Sequence, residues 1–394
     1  MGFFSFSRRR FIAAGMAALP LTARRAMAES RAQKAAPALL PIIGALLPLS
    51  GPESLLGDEC LRGIQLAADA VNNAGGNIHL IVADARNQVQ VEAVAKSLIA
   101  GDMVNVLLGT GASNLAYQGS DAAELAQIPY IELNAPADGI TGRNFKFLLR
   151  TTLTTSMQAA LAVQTIATKF AGRQIGLLFN TGASAGAVAA AALAQWQAAK
   201  ISPLLSIGYP EDAADLHDPV SRMRRAGVEV ALHAAGTDDV LVLFQAMQDT
   251  GWRPGGIIGC GEGYGFRETA FALGEIFDAT YVSGAPCYPP SAAAIASAYQ
   301  SRFGMPPRSA DSLTSYAGAK LVFDTLTAVD GDASKLLDAD SFMEKHVIDS
   351  TGFLELVTYL EETYGFVVED EDMVPENLDS LNNIEAYVQR KQAA

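Results

Sequence analysis

The stretch of sequence that decides the fold is Ala45-Leu46-Leu47-Pro48-Leu49-Ser50-Gly51-Pro52. It closes an apolar run that begins at Pro41 and is typical of a buried β-strand, which Gly51-Pro52 ends. Apolar residues then recur at helical spacing over 63–72, and Gly75 and Gly76 end the predicted helix. A buried strand followed by an amphipathic helix is the first half of a βαβ unit, so this opening predicts an α/β fold.

The same alternation of strand and helix runs along the chain in two series. The first predicts strands over 41–49, 78–83, 104–108 and 129–133, and helices over 63–72, 91–100 and 120–126. The second predicts strands over 174–179, 204–209, 228–233, 256–258 and 281–283, and helices over 185–198, 219–225 and 239–249. Two such series, joined near 150–156, predict two doubly wound parallel-sheet lobes. In these sheets a ligand lies beyond the carboxyl ends of the strands, so we expect a cleft there.

Charge is distributed unevenly along the 394 residues. The net charge is −14, which argues against a nucleic-acid partner because phosphate binding needs clustered Lys and Arg. Residues 335–394 carry 14 Asp and Glu against 4 Lys and Arg, whereas residues 1–28 carry 5 Arg and no acid. The two ends of the chain therefore differ in character from the α/β region between them.

The first 28 residues have the three regions of an export signal in order. The basic run Ser7-Arg8-Arg9-Arg10-Phe11-Ile12 opens a short apolar stretch to Leu21, and the small-x-small sequence Ala26-Met27-Ala28 follows. The apolar stretch is too short to span a bilayer. The consecutive arginines Arg8, Arg9 and Arg10 of the basic run resemble a twin-arginine signal, so we expect a periplasmic protein exported in the folded state.

Cysteine and histidine usage gives no sign of a metal or redox site. The three cysteines, Cys60, Cys260 and Cys287, include no CxxC pair, and the four histidines are scattered. One disulfide could form in the periplasm, but the sequence does not choose the pair, and buried core thiols are an equal alternative. We therefore expect no metal.

Several runs, in this order and spacing, resemble the type I periplasmic binding proteins, specifically the leucine/isoleucine/valine-binding receptors of ABC transporters. They are 45–52 with Gly57 and Gly63, 67–72, Asp84, 108–113, 128–131 and 147–151. The resemblance covers about residues 40–330 and implies a solute-binding domain over 40–334. Its first lobe would span about 40–150 and its second about 156–285, with the chain crossing back over 286–330. It also implies a membrane permease as partner, no cofactor and no catalysis.

The resemblance also implies which residues touch the solute. These lie after predicted strands and are Ser113, Asn114, Asn134, Ala135, Pro136, Ser184, Gly236 and Glu262. In the family, hydroxyls and amides of the first lobe bind an amino acid's carboxylate and an acid of the second lobe binds its ammonium, roles that suit Ser113 and Glu262. Pro136 lacks an amide donor and Gly236 stands where an aromatic ring is common. The expected solute is therefore a branched-chain amino acid or a similar small polar amide or acid.

The acidic C-terminal segment, 335–394, resembles part of an acyl or peptidyl carrier protein. The runs that carry this resemblance are 340–357, 361–366, 375–381 and 384–388. It implies that Ser350 receives 4′-phosphopantetheine from a phosphopantetheinyl transferase, and that Phe353, Leu354, Leu356, Val357 and Leu360 form an inward apolar stripe. The alternative is that Ser350 only caps a helix. A small all-α segment carrying phosphopantetheine is thus the second functional hypothesis.

A hydrolase is a third hypothesis, because Gly182-Ala183-Ser184-Ala185-Gly186 matches G-x-S-x-G between a predicted strand and helix. Such an enzyme needs an acid and then a histidine after the serine. The later histidines, His217, His233 and His346, do not occupy suitable places in the predicted fold. We therefore predict that the chain is not an enzyme.

Overall fold

The computed structural model describes residues 41–285, 287–328, 341–342, 353, 356–357, 360–361 and 366–393. The predicted export signal over 1–28 and Ser350 lie outside the described residues. Within them, no helix has the length and hydropathy needed to cross a membrane. All three thiols are free: Cys60 and Cys260 are buried and Cys287 is exposed.

The first lobe is built around a five-stranded parallel sheet. Its strands are β1 (Ile42–Leu47), β2 (His79–Asp84), β3 (Val106–Gly109), β4 (Tyr130–Glu132) and β5 (Leu148–Arg150). Its helices are α1 (Ser54–Asn73), α2 (Gln88–Ala100) and α3 (Ser113–Ala126), and a 3₁₀ turn spans Asp138–Arg143. The strand order is β2-β1-β3-β4-β5, with Leu47 beside Asp84 and Gly109 beside Glu132. Apolar strand residues of both faces lie in one buried core with the helices.

The second lobe repeats this plan. It begins with α4 (Thr155–Lys169) and contains β6 (Ile175–Asn180), α5 (Ala183–Ala198), β7 (Leu205–Tyr209), α6 (His217–Ala226), β8 (Val230–Ala234), α7 (Asp239–Thr250), β9 (Gly256–Cys260), α8 (Glu262–Gly265), α9 (Arg267–Leu273) and β10 (Thr280–Ser283). The parallel order β7-β6-β8-β9-β10 matches that of the first lobe strand for strand. The predicted fold of two doubly wound α/β lobes is confirmed.

Each sheet has one point where the strand order reverses. In the first lobe it lies between β1 and β3, and in the second between β6 and β8. Crossover helices leave the two neighbouring strands toward opposite faces at such a point, which opens a crevice at the strands' carboxyl ends. The fold therefore provides one ready-made crevice in each lobe.

The structure differs from the sequence prediction at several element boundaries. Helix α3 begins at Ser113 instead of residue 120, because polar residues and Gly119 interrupt the apolar spacing of its first two turns. Strand β5, three residues with one exposed side chain, is too short to give a pattern. Helix α4 was also missed, because it buries only small or isolated apolar residues such as Ala159 and Ala162.

After β10 the chain returns to the first lobe through α10 (Ala293–Phe303) and α11 (Asp311–Ala328), and α11 packs along α1. A buried carboxylate fixes this contact. Glu59 on α1 accepts hydrogen bonds from the Tyr299 hydroxyl at 2.6 Å, the Ser312 hydroxyl at 2.6 Å and the Arg308 amide at 3.1 Å. Since a buried charge without partners is costly, these bonds hold α11 in one position on α1.

The described part of the C-terminal segment is partly helical. Its described helices are α12 (Pro375–Leu378) and α13 (Leu381–Ala393). A buried cluster joins them to the preceding residues and contains Val357, Leu360, Val368, Leu378, Tyr387 and Val388, with Phe353 and Leu356 packed against it. The predicted inward stripe is confirmed for Phe353, Leu356, Val357 and Leu360. Its fifth residue, Leu354, lies outside the described residues.

Glycine at position 63 is required by the close approach of α1 and α11. A Cβ atom there would lie 2.2 Å from the carbonyl oxygen of Ser312. We therefore expect Gly63→Ala to destabilise the protein by about 1–3 kcal/mol, even though alanine favours helices more than glycine does. Chemical denaturation of the full chain measures this.

The matched control is Gly186→Ala, also inside a helix, where the nearest atom to an added Cβ is 3.8 Å away. There the helix propensity acts alone, and we expect stabilisation of about 0.5–1 kcal/mol. If both substitutions stabilised the protein to the same extent, the described packing of α1 on α11 would be wrong.

Candidate functional site

A cleft lies between the two lobes at the crevices where their strand orders reverse. Residues after β1 and β3 form one wall, and residues after β6, β7, β8 and β9 form the other. The lining residues are Pro52, Glu53, Leu56, Ala112, Ser113, Asn114, Asn180, Gly182, Ala183, Ser184, Ala185, Glu211, Ala235, Gly236, Thr237, Asp238, Asp239 and Glu262. The carboxyl ends of two parallel sheets therefore face each other across one cavity, as the fold predicts.

Of the predicted site residues, Ser113, Asn114, Ser184, Gly236 and Glu262 line this cleft. Ser113 and Ser184 lie in the first turns of α3 and α5 instead of in the preceding loops. Ser113 accepts a hydrogen bond from the amide of Ala137 at 3.2 Å. The structure thus brings these five positions together from both lobes.

The other predicted residues, Asn134, Ala135 and Pro136, do not line the cleft. The Asn134 side chain points toward α11, where it donates to the carbonyl oxygen of Asp311 at 3.1 Å. Ala135 is fully buried, and the carbonyl oxygen of Pro136 accepts from the Thr155 amide at 2.8 Å. These residues follow β4, which is one strand further from the reversal point than β3, and this explains their distance from the cavity.

A buried carboxylate already occupies the amide groups at the ends of β3 and β4. Glu132 accepts hydrogen bonds at 2.9–3.2 Å from the amides of Thr110, Gly111, Leu133, Asn134 and Ala135. The Tyr130 hydroxyl donates to it as well, at 3.0 Å. An anion bound by several amides in this way is strongly stabilised. These first-lobe amides are therefore saturated by the protein itself.

The second lobe places a different carboxylate at the cavity. Asp239, the first residue of α7, is 4% exposed. Its Oδ2 accepts from the Tyr209 hydroxyl at 2.7 Å and from the Asn180 side-chain amide at 2.8 Å. Its Oδ1 is buried and has no hydrogen-bond partner. The side chain is thus held on one side and unsatisfied on the other.

His233, buried below Asp239, fixes this arrangement through a chain of hydrogen bonds. Tyr209 gives its one hydroxyl proton to Asp239, so it must accept from His233 Nε2, 2.6 Å away. Burial lowers the pKa of His233 to about 4, so the ring is neutral and its Nδ1 accepts from the Tyr264 hydroxyl at 2.5 Å. Each group in this chain therefore donates a hydrogen bond to the next, from Tyr264 through His233 and Tyr209 to Asp239.

Four further carboxyl groups line the cleft: Glu53, Glu211, Asp238 and Glu262. Burial raises the pKa of Glu262 to about 8, and nearby acids including Glu53 and Asp239 add to the effect. Burial also raises the pKa of Glu53 to about 7, where Glu211 of the other lobe contributes and the Asn114 hydrogen bond opposes it. Burial is the main cause of the raised pKa values of Glu211 and Asp238, and the nearby carboxyl group of Asp239 adds to it. The cavity is therefore crowded with carboxyl groups, and its described lining residues include no Lys, Arg or His.

The backbone at Gly261 places Glu262 in this group. Its φ of +121° belongs to the region that favours glycine, and an added Cβ would lie 2.0 Å from the carbonyl oxygen of Ala235. The loops after β8 and β9 therefore lie in direct contact, which directs Glu262 at the start of α8 toward the first lobe.

The cavity contains unused hydrogen-bonding atoms. Asn114 Oδ1, Ser184 Oγ and Asp239 Oδ1 are buried without a partner. Ser184 Oγ has no histidine beside it among the described residues, since both nitrogens of His233 are bonded to tyrosines. Within the same residues no group of three or more His, Cys, Asp or Glu could hold a metal ion. Buried polar atoms left unpaired at a cleft are typical of a site that awaits a ligand.

The comparison with protein families decides the identity of this architecture. A family model described as periplasmic binding protein matches residues 42–347. The chain belongs to the type I periplasmic binding protein family. This match extends beyond residue 330, where we expected the resemblance to end.

Relatives and solved structures agree with the family. The chain is 34% identical over 307 residues to Leu/Ile/Val-binding protein homolog 8 of Brucella abortus, covering 73% of this chain and 76% of that protein. It is 31% identical over 331 residues to Leu/Ile/Val-binding protein homolog 7 of Brucella suis, covering 79% of this chain and 83% of that protein.

The fold is similar to that of the isoleucine complex of LivJ, a branched-chain amino acid transporter substrate-binding protein from Streptococcus pneumoniae (TM-score 0.67, 19% identity, 77% and 89% covered). It is also similar to that of an ABC transporter solute-binding protein from R. palustris in complex with 4-hydroxybenzoate (TM-score 0.64, 18% identity, 75% and 82% covered). At these identities the likeness concerns the fold alone. The related proteins are solute-binding proteins, and this function requires no cofactor.

These comparisons give no support to a carrier protein segment at the C-terminus. The family model ends at residue 347, within the run that resembles a carrier protein, and Ser350 lies outside the described residues. Phosphopantetheine on Ser350, and the transferase that would attach it, stay predictions from the sequence.

Neutralising Glu262 should make the unliganded protein more stable in a pH-dependent way. Its folded-state pKa of about 8 exceeds the ordinary value of 4.5, so the folded state holds a proton that the unfolded state loses in this window. The stability that this proton provides is present below pH 4.5 and lost as the pH rises through 8. We expect Glu262→Gln to melt at least about 2 °C above wild type at pH 8.5 and close to it at pH 4.5.

The control is Glu275→Gln, which changes an exposed carboxyl of the same lobe. Its melting temperature should follow that of wild type at both pH values. A Glu262→Gln difference that did not depend on pH would contradict the described environment of this side chain.

Proposed function

We propose that the chain is the extracytoplasmic receptor of an ABC transporter, which captures a small polar solute by closing its two lobes and presents it to a membrane permease. The observation that carries this proposal is the cleft at the reversal points of two matching sheets, with unpartnered polar atoms on both walls. The family, whose members deliver solutes to transporters, supports it. A periplasmic location is part of the same proposal, and export through the twin-arginine sequence remains a prediction.

The solute class has support from both the relatives and the cavity. A structural relative binds isoleucine and others bind benzoate-type acids, so the family fold accommodates small amino and aromatic acids. In this chain Ser113, Asn114 and Ser184 offer hydroxyl and amide groups, and Glu262 and Asp239 offer carboxyl oxygens. We propose a small polar solute of the size of a branched-chain amino acid or its amide, with its N–H groups directed at the second lobe.

Capture needs no chemical reaction. A solute that contacts Asn114 in one lobe and Asp239 in the other has more contacts in the closed state than in the open state. This difference in affinity drives closure, and the closed form is then the one that a permease recognises.

A thermal-shift screen of the full chain tests the proposal. With amino acids, amides, amines and small carboxylates as candidates, we expect at least one solute to raise the melting temperature by about 5 °C or more at saturation. The same solute should reduce the radius of gyration in small-angle X-ray scattering, because the lobes close on it.

Filling the cavity provides the matched pair of variants. A side chain at Gly236 would start 3.6 Å from Asp239 Oδ1, so Gly236→Phe should abolish the shift, whereas Gly142 has open space around it and Gly142→Phe should not. If no solute in the screen stabilises the chain, or Gly236→Phe binds as well as wild type, this receptor function is wrong.

A further inference from the structure

The charges of the cleft set a strong condition on the solute, and this inference rests on the proposed function. The described residues that line the cleft include five carboxyl groups and no Lys, Arg or His. Carboxyl groups of the two lobes act on each other, since Glu211 of the second lobe contributes to the raised pKa of Glu53 in the first. A negatively charged solute would therefore enter a cavity whose charges all oppose it.

The cavity also favours a solute that carries hydrogen-bond donors. Asp239 Oδ1 belongs to a residue that is 4% exposed, lines the cleft and holds its other oxygen in two hydrogen bonds. Asn114 Oδ1 is a second acceptor without a partner, while Ser184 Oγ can donate or accept. Two acceptors of this kind require N–H or O–H groups from the solute.

Several groups that could bind a carboxylate already donate to the protein's own acids. The amide of Ala135 and its neighbours donate to Glu132. The Asn114 side-chain amide donates to Glu53 at 3.0 Å. The Glu211 carboxylate lies next to the N-terminal end of α5, since an added Cβ at Gly182 would be 2.6 Å from its Oε1. A helix N-terminus is a common anion site, but an anion bound at this one would lie against the Glu211 carboxyl group.

A metal ion is a poor candidate for the missing positive charge. The described residues contain no group of three or more His, Cys, Asp or Glu that could coordinate one ion. The five carboxyl groups follow four different strands of the two lobes, β1, β7, β8 and β9, so they surround the cavity instead of converging on one point. An extended cation with several N–H groups fits this distribution better than a compact ion.

We propose that the cleft binds an organic cation, an amine, amidine or guanidine without a carboxylate, with Asp239 as its principal anchor and Glu211, Glu262 and Glu53 around it. The hydrogen-bond chain from Tyr264 through His233 and Tyr209 positions the anchor, because it holds Oδ2 and leaves Oδ1 without a hydrogen bond from any described residue. This chain of tyrosines and histidine is a positioning device and does not touch the solute.

Isothermal titration calorimetry with compounds of matched shape tests the charge condition. Benzamidine, benzamide and benzoate have the same ring and differ in charge, and L-leucinamide differs from L-leucine only in lacking the carboxylate. We add 1,4-diaminobutane and 4-guanidinobutylamine as longer cations. At pH 7 and low salt the full chain should bind at least one cation at least about tenfold more tightly than any carboxylate of the set.

Charge variants locate the effect. Asp239→Asn and Glu211→Gln keep the side-chain shape and should each weaken binding of the preferred cation by at least about fivefold. The control Asp278→Asn removes an exposed carboxyl of the same lobe, outside the cleft, and should leave the affinity within about twofold. Circular dichroism and melting curves check that every variant is folded.

The outcomes separate this inference from the function on which it rests. Carboxylates that bind as tightly as the cations, or equal losses in Asp239→Asn and Asp278→Asn, overturn the cationic solute but leave a solute receptor. Absence of binding by every cation also overturns it. The receptor function fails only if the broad solute screen is negative as well.

Discussion

Buried carboxylates at the ends of parallel strands are the constraint on which this structure depends. A charge removed from water must find hydrogen-bond donors or positive partners, and each lobe meets that need differently. In the first lobe Glu132 collects five backbone amides and a tyrosine, which ties the ends of β3 and β4 together. In the second lobe Asp239 finds only two donors, on a single oxygen. Glu132 is satisfied internally, whereas Asp239 keeps one oxygen that accepts no hydrogen bond from the described residues.

This difference turns a symmetrical fold into an asymmetrical site. Both sheets have the same strand order and both reverse at the cleft. The first-lobe wall supplies shape and the polar groups of Asn114 and Ser113, whereas the second-lobe wall supplies Asp239, Glu211 and Glu262. Ionisation of Glu211 and Glu262 is costly without a partner, since burial raises the pKa of both carboxyl groups, that of Glu262 to about 8. A cation would relieve that cost on binding, so affinity and selectivity have the same physical origin.

Much of the fold was predictable from sequence because buried parallel strands appear as continuous apolar runs, as in residues 42–47. The residues of the site were less predictable from sequence. Ser113 and Glu262 follow long apolar strands and matched the family pattern, but Asp239 and Glu211 resemble ordinary loop acids. Only the strand order, which places β7, β6 and β8 side by side, brings them together. The family pattern implies that Asn134 contacts the solute, but this residue does not line the cleft, because sequence does not reveal which strand ends lie at the reversal point.

A crystal structure of the full chain with the solute that stabilises it most tests the account directly. It should show closed lobes around a solute whose nitrogen lies about 3 Å from Asp239 Oδ1 and that also contacts the wall around Asn114. A solute bound outside this cleft, or a carboxylate group held against Asp239, would contradict the account.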